Sequence, residues 1–534
     1  MTVTELMPNG RDPRVLPDLL RNAYRVFADR TAIIDERASY TFRETAETVD
    51  RFVSGLIDAG IRPGDCVAII SGNRAECLIS DQACYLGGFV RLAVNKRLHP
   101  REAAEILRLA DARVLIVDRQ WREAIAPELL GIPGLRLVVD LDGEADGPRT
   151  TEGDGAQHVT MPTLLERGAA HPAAPEPTAA DSMAQLAFTS GTTGRPKGVI
   201  HTQPAIAAGV RNTIIETDAS ASDVVYTPVP LSHVGGTFAL AYFIRGATQI
   251  LAAAFDAEEA MTAVEERGAT VLVLVPTMVT AINAIAAGRS APALRRIVYG
   301  ASPMPVPDIV RTLELFGPVL VQLYGQTEAG FISALAPPDH EWAIGTEPPA
   351  RLASVGRPTS YTAVRCIDES GDDVPEGEVG EVAVRSDSTM SGYLNDDAAY
   401  AAVAVEGGWI RTGDLGRWSD GFLTLVGRSR DVIISGGFNV YPIEVENELK
   451  AFDGVEEVAV LGVPDEKWGE TVCAVVVTSG EFDEHLATEH CRSRLAGFKI
   501  PRLFFTVSEL PRNTAGKVMK DELRRQVSLE RDRV

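Results

Sequence analysis

The chain is short of cations. Lys and Arg number 51 against 74 Asp and Glu, a formal net charge of −23 over 534 residues. A nucleic-acid binder shows the reverse, a basic face and a high pI, so that class is set aside. Anionic small ligands stay admissible, because a few lysines and bare backbone amides can reverse the potential locally. Cysteine is also scarce. The six thiols, Cys66, Cys77, Cys84, Cys366, Cys473 and Cys491, form no CxxC pair. Neither a zinc site nor a disulfide framework is therefore indicated, and buried thiols in a reducing compartment are expected. No apolar run reaches the ~18 residues of a spanning helix. Met1 to Gly10 lacks the basic-then-apolar pattern of a secretory signal, and Arg531 to Val534 carries no lipidation signal. A cytoplasmic protein is the expectation, and a homodimer is left open.

Against this background one string stands out, Phe188-Thr-Ser-Gly-Thr-Thr-Gly-Arg-Pro-Lys-Gly198. It packs three glycines, four hydroxyl residues and two cations into eleven positions. Glycine lets backbone N–H groups approach an anion without a Cβ clash, and hydroxyls add donors, so a polyphosphate suits this loop. The common P-loop needs glycine, four residues, then Gly-Lys-Ser/Thr. Here Lys197 follows Gly194 by three and precedes Gly198. A generic P-loop phosphotransferase is thereby excluded.

A chain of 534 residues exceeds one core, so at least two domains are expected. Strand-like runs at 66–70, 88–94 and 113–117 alternate with a helical stretch from Asn73, a candidate N-cap, to Tyr85. That alternation predicts βαβ units on largely parallel sheets. Acidic, glycine-rich 141–157 reads as an exposed loop, and 171–180 as a Pro/Ala linker. Apolar runs at 270–275, 294–299 and 318–324 follow. The last two end in the turns Gly300-Ala301-Ser302 and Gly325-Gln-Thr-Glu328, where open α/β sheets place ligands. From about 360 the style changes to hairpins, with a turn signal at 419–421. A compact α+β pattern follows, with helices at 442–450, near 483–495 and after 517, and strands near 456–462, 471–478 and 503–507. The expected fold is α/β: a large N-terminal domain of βαβ-type sheets plus a β-rich subdomain over 1–429, and a small mobile α+β domain over 430–534.

Further strings carry chemistry. Tyr324-Gly-Gln-Thr327-Glu328 offers an aromatic face, a hydroxyl and a carboxylate. Asp414, in Trp409-Ile-Arg-Thr-Gly-Asp-Leu-Gly416, can accept two hydrogen bonds at once when ionised. Lys517, in Leu510-Pro-Arg-Asn-Thr-Ala-Gly-Lys-Val518, is a compact point charge on a flexible stem. His233 lies in Pro228-Val-Pro-Leu-Ser-His-Val-Gly-Gly236, where the two glycines could leave room for a substrate. Taken singly, each has a plain reading as a turn, a packed histidine or a solvated lysine.

Taken together and in this order, these strings resemble the AMP-forming acyl-CoA and aryl-CoA synthetases, the acyl-adenylating superfamily. The resemblance implies ATP, Mg²⁺ and coenzyme A acting on a small carboxylic acid. It assigns Thr189, Ser190, Gly191, Thr192, Thr193, Gly194 and Lys197 to the triphosphate. Gly300, Ala301, Ser302 and Tyr324 flank adenine, Thr327 contacts phosphate, and Glu328 holds the metal. Asp414 takes the ribose hydroxyls, and Arg428 reaches ribose and phosphate. Lys517 bridges the substrate carboxylate and the α-phosphate, and His233 moves to the acyl pocket. Arg430 stands at the superfamily's hinge, where Lys or Asp is more usual. Ser435, Gly436 and Gly437 resemble the pantetheine tunnel segment, and Lys499 is a candidate for CoA phosphates. The implied reaction makes an acyl-adenylate and pyrophosphate, then an acyl-CoA. The alternatives are transfer of the adenylate to a carrier-protein thiol or to another nucleophile such as an amine, and an idle nucleotide-binding module. The lack of a carrier domain in this sequence favours free CoA, and the presence of Glu328, Asp414 and Lys517 together opposes the idle module. The acid itself stays open among small aromatic, cinnamate-like and medium-chain fatty acids.

Overall fold

The computed structural model describes residues 15–129, 132–143, 155–175, 179, 181–190, 196–465, 467–512 and 518–531. The chain divides into two compact units, residues 1–363 with 384–410, and residues 364–383 with 411–534.

Two large sheets build the first unit. In the eight-stranded one, the parallel strands Val90–Ala93, Cys66–Ile70, Ala112–Val117, Leu137–Asp140 and Gln157–Thr160 lie side by side. Met183–Ser190 joins them in parallel beside Val90–Ala93, and then Pro196–Thr202 and Gly392–Tyr393 add antiparallel strands at that edge. The nine-stranded sheet has a parallel centre of Thr31–Ile34, Thr248–Leu251, Val224–Thr227, Val271–Leu274, Arg296–Gly300 and Leu320–Gln326. Central strands such as Cys66–Ile70 and Val271–Leu274 are buried at every residue. Parallel strands covered on both faces read as continuous apolar runs, which is why their positions were visible in the sequence. One core joins residues from both sheets, among them Ile33, Leu251, Val67 and Val139. Through it runs the helix Ala75–Gly87, in which twelve of thirteen residues are buried.

Two local expectations are corrected. Asn73 does not cap that helix. Arg74 takes the N-cap position, without a side-chain cap bond. Buried Asn73 instead donates from Nδ2 to the carbonyls of Val229 and Ala252 at 2.9 and 3.1 Å, and its Oδ1 accepts from Leu231 N–H at 3.0 Å. Satisfying a buried amide outweighs one cap bond, because each unmade bond there costs the desolvation of the group. The strand before Glu328 does not stop at Gly325. It continues to Gln326 and pairs antiparallel with Gly330–Leu335, with a register shift between Tyr324 and Gly325. A Cβ at Gly325 would lie 2.2 Å from the Gly330 carbonyl oxygen. Glycine there permits a close hairpin rather than ending a strand.

Two further sheets lie mainly in the second unit. In one, Trp409–Ser419 pairs with Phe422–Arg428 through Asp420 and Gly421, at φ 53° and 76°. Two successive left-handed residues match the right-handed twist of a hairpin. In the other, the long hairpin Val455–Asp465 and Gly469–Thr478 is flanked by Ile433–Ser435 and Leu503–Thr506. The helices Pro442–Lys450, Glu484–Arg492 and Lys520–Arg531 complete the α+β pattern. The architecture is thus the expected α/β one, a large unit of parallel and mixed sheets and a smaller one with mostly antiparallel sheets.

Candidate active site

In the first unit, side chains of the site lie on three segments that hydrogen-bond into one block. Met183–Ser190 and Pro196–Thr202 form a hairpin whose register sets Thr189 opposite Lys197. Gly191, Thr192, Thr193 and Gly194, which follow in sequence, lie outside the described residues, as does the Ser190 side chain. The second strand carries Lys197 and His201 on the same face, four residues apart. Lys197 Nζ stands 5.2 Å from the centre of the Tyr393 ring, within cation–π reach. Tyr393 belongs to the short edge strand on this hairpin. Its hydroxyl donates to Glu328 Oε1 at 3.1 Å. Burial, then the Glu328 carboxylate, pushes the Tyr393 phenol well above its usual range, so it stays a donor.

The Thr327-Glu328-Ala329 turn is held by its backbone. His201 Nε2 lies 2.8 Å from the Thr327 carbonyl oxygen. Burial pushes this imidazole down to about 4, so it is neutral at pH 7, and facing a carbonyl it must carry its proton on Nε2. Met390 N–H donates to the Glu328 carbonyl at 2.8 Å, and Ser388 Oγ to the Ala329 carbonyl at 2.9 Å. Thr327 Oγ1 and the Glu328 carboxylate are thereby presented from a fixed frame. Among the described residues no group of three His, Cys, Asp or Glu could hold a metal. A single carboxylate fits Mg²⁺, which keeps waters and leans on substrate phosphates rather than on an all-protein cage.

Beside this block, Gly300 pairs with Leu323 in the next strand, and a Cβ on it would lie 2.3 Å from the Leu323 carbonyl oxygen. Ala301 follows at φ 71°, left-handed for a residue with a Cβ, and Ala301 and Ser302 are exposed. Strain of this kind collects at ligand-binding turns. Tyr324 is 9% exposed. Tyr299 is buried, and its hydroxyl donates to Gln322 Oε1 at 3.1 Å. His233 stands at the N-cap of the helix Val234–Ile244, its Nε2 3.0 Å from Asn95 Nδ2. Asn95 Oδ1 accepts from Arg97 N–H, which turns the amide nitrogen toward the ring. The expectation that Gly235 and Gly236 make room for a substrate is corrected. A Cβ at either would meet the Pro230 or Leu231 carbonyl oxygen at 2.6 or 2.5 Å, so these glycines let the helix start tightly on its own preceding loop.

In the second unit, Asp414 and Arg428 are direct cross-strand partners, with Nε 3.1 Å from Oδ1. Asp414 is buried and Arg428 partly exposed, so the carboxylate is held by an Arg that still reaches solvent. Arg430 lies in the short 3₁₀ turn Ser429–Asp431 and is half-exposed. Ser435, Gly436 and Gly437 form the turn between Ile433–Ser435 and Phe438–Val440. Gly436 and Gly437 sit at φ 59° and 82°, and a Cβ on Gly436 would lie 2.8 Å from the Trp468 ring. Lys499 Nζ is paired with Glu444 at 2.7 Å, so a phosphate would have to displace a carboxylate. Lys517 lies outside the described residues. His201, Tyr393, Met390 and Ser388 were missed by the sequence reading. The period-two placement of His201 beside Lys197 was the one available signal, and the distant 388–393 segment gave none.

A family model for AMP-binding enzymes matches residues 20–394, and one for the AMP-binding enzyme C-terminal domain matches residues 444–517. A feruloyl-CoA synthase from Amycolatopsis is 35% identical over 511 residues, 94% of this chain and 97% of its own length. An indoleacetate–CoA ligase from Aromatoleum aromaticum is 34% identical over 510 residues, 93% and 95% of the two chains. Among solved structures, an amide bond synthetase from Marinactinospora thermotolerans superposes with a TM-score of 0.84 at 31% identity, over 96% of this chain and 99% of that one.

Proposed function

The chain belongs to the family of AMP-binding enzymes, and from that membership we propose that it is an ATP-dependent acid–thiol ligase that makes acyl-CoA through an acyl-adenylate. The observation that carries this reading is the block joining Lys197, Thr327 and Glu328 beside the glycine- and hydroxyl-rich hairpin. A carboxylate cannot be attacked by a thiol while its leaving group is oxide. In-line attack of the carboxylate oxygen on the α-phosphorus of ATP breaks the bond to the β-phosphate oxygen, releases pyrophosphate, and leaves AMP as the leaving group on the acyl carbon. The protein's part in such a step is positioning and charge stabilisation.

In this reading the hairpin amides and Lys197 hold the triphosphate, Thr327 contacts phosphate, and Asp414 accepts both ribose hydroxyls. Glu328 would hold Mg²⁺, which neutralises charge on the phosphates when bound. Lys517 bridges the incoming carboxylate and the α-phosphate. The functional divide lies at 429/430, with Arg430 as pivot. Ser435, Gly436 and Gly437 serve the thiol step. His233 borders the acyl group, and Lys499 meets CoA phosphates only on leaving Glu444. The aromatic acids in the relatives' names support a hydroxycinnamic or arylacetic acid as the first substrates to try. The likeness to an amide bond synthetase supports a second reading, in which an amine takes the acyl group.

The test is pyrophosphate release across a panel of aryl and fatty acids, followed by product identification with CoA or an amine as acceptor. Acid-dependent pyrophosphate release with thioester formed only with CoA is expected. Amide without thioester would select the second reading, and no acid-dependent release would sink both.

A further inference from the structure

We infer that the segment Ser388–Tyr393, together with His201, is a positioning strap that fixes the Thr327–Glu328 turn against the phosphate hairpin and so sets how well the site takes Mg²⁺-bound triphosphate. The inference rests on the proposed adenylating function. Three successive carbonyls, of Thr327, Glu328 and Ala329, each accept from a different donor: His201 Nε2, Met390 N–H and Ser388 Oγ. The Glu328 carboxylate accepts from Tyr393. The segment supplying three of these four donors is itself bonded to the hairpin. Ser391 N–H donates to the Ile200 carbonyl at 3.0 Å and Leu394 N–H to the Gly198 carbonyl at 2.7 Å. Gly392 and Tyr393 pair in register with Ile200 and Val199.

The turn therefore cannot shift relative to Lys197 without breaking bonds on both sides of the strap. Ser388 also stands 3.0 Å from where a Cβ of Gly330 would be, so the end of the turn is closed sterically as well. A free carboxylate on a two-residue turn would explore many rotamers. Tyr393 removes that freedom at one oxygen and leaves the other for a metal. Catalytic geometries of this kind need second contacts to hold their first ones.

The experiment compares ATP binding by the full-length protein with Mg²⁺ and with EDTA, by titration calorimetry, in wild type, Tyr393→Phe, His201→Phe, His201→Gln and Glu328→Gln. The ratio of the two affinities isolates the metal-dependent gain. A hydrogen bond to a charged acceptor supports an expected fall in that gain of about tenfold for Tyr393→Phe, with Mg²⁺-free ATP affinity unchanged within about twofold. His201→Phe should lower it similarly, and His201→Gln, which keeps an N–H donor, should restore most of it. Rescue separates a positional role from lost packing. A gain unaltered in Tyr393→Phe, or an equal loss of Mg²⁺-free ATP affinity, would overturn the strap. If Glu328→Gln also kept the full gain, the metal assignment of the proposed function would fall with it. If Glu328→Gln alone abolished the gain, only the strap would be refuted.

Discussion

Asp414 and Arg428 face each other across a hairpin, and the acid is the more buried partner. If Asp414 accepts both ribose hydroxyls, Asp414→Ala forfeits two hydrogen bonds to a charged acceptor, each about 1.5–3 kcal/mol. ATP and AMP affinities should fall together, by about 100-fold or more, in equilibrium dialysis. Normal AMP binding by the variant would remove Asp414 from the ribose. Lys517→Ala tests the other end of the reaction. Adenylate formation should drop by several orders of magnitude, while CoA attack on preformed acyl-adenylate keeps its rate within a few-fold. Equal loss in both half-reactions would contradict the bridging role. These candidates were visible in the sequence because each sits in a compact string with glycine and hydroxyl neighbours. His201 and Tyr393 were not. Their partners lie 126 and 65 positions away, and no local periodicity encodes a hydrogen bond of that span. Gly235 and Gly236 misled for the converse reason. A glycine announces missing volume, and only coordinates tell whether a ligand or a carbonyl takes that space.

At the level of elements, the helices Leu16–Val26 and Phe42–Asp58 pack together and carry Arg21 and the partly buried Asp50. Asp50 on the second is pushed up to about 6 by burial, against the opposing pull of Arg21 on the first. The folded carboxyl binds its proton more tightly than the unfolded one, near 3.9. Its contribution is therefore fully present below about pH 4 and is lost as pH rises through about 6. Asp50→Asn should stabilise the protein at pH 7.5 by about 1–2 kcal/mol, allowing for partial solvent screening, and should give no gain at pH 4. Urea midpoints at the two pH values decide it, and no gain at pH 7.5 would mean the carboxylate is better solvated than its burial implies. The elements themselves were largely readable. Buried parallel strands made apolar runs, and Asp420-Gly421 announced its hairpin. The exceptions were Asn73 and Gly325, where a tertiary demand overrode a local preference.

For the whole molecule, the proposed function has two half-reactions and assigns them residues on either side of Arg430. In that reading the 3₁₀ turn Ser429–Asp431 is the pivot, because a few loop dihedrals suffice for such motions. Proline fixes φ near −65° and removes a donor. Arg430→Pro is expected to leave adenylation within a few-fold and to collapse thioester formation, as read in single-turnover assays of each step. Parallel loss would point to damaged folding, and normal rates in both would move the pivot elsewhere. A different consequence lies in the helix Ala75–Gly87. It has almost no solvent face, and it carries Cys77 and Cys84, both buried, with the first thiol pushed up to about 12 by burial and the second also held well above its usual range by burial. Fraying at one end cannot expose them. Their labelling by a thiol reagent should wait for the opening of the core shared by both large sheets, and with excess reagent its rate becomes a clock for that event. ATP that binds only the closed core should slow the clock, giving a measure of occupancy that needs neither substrate acid nor turnover.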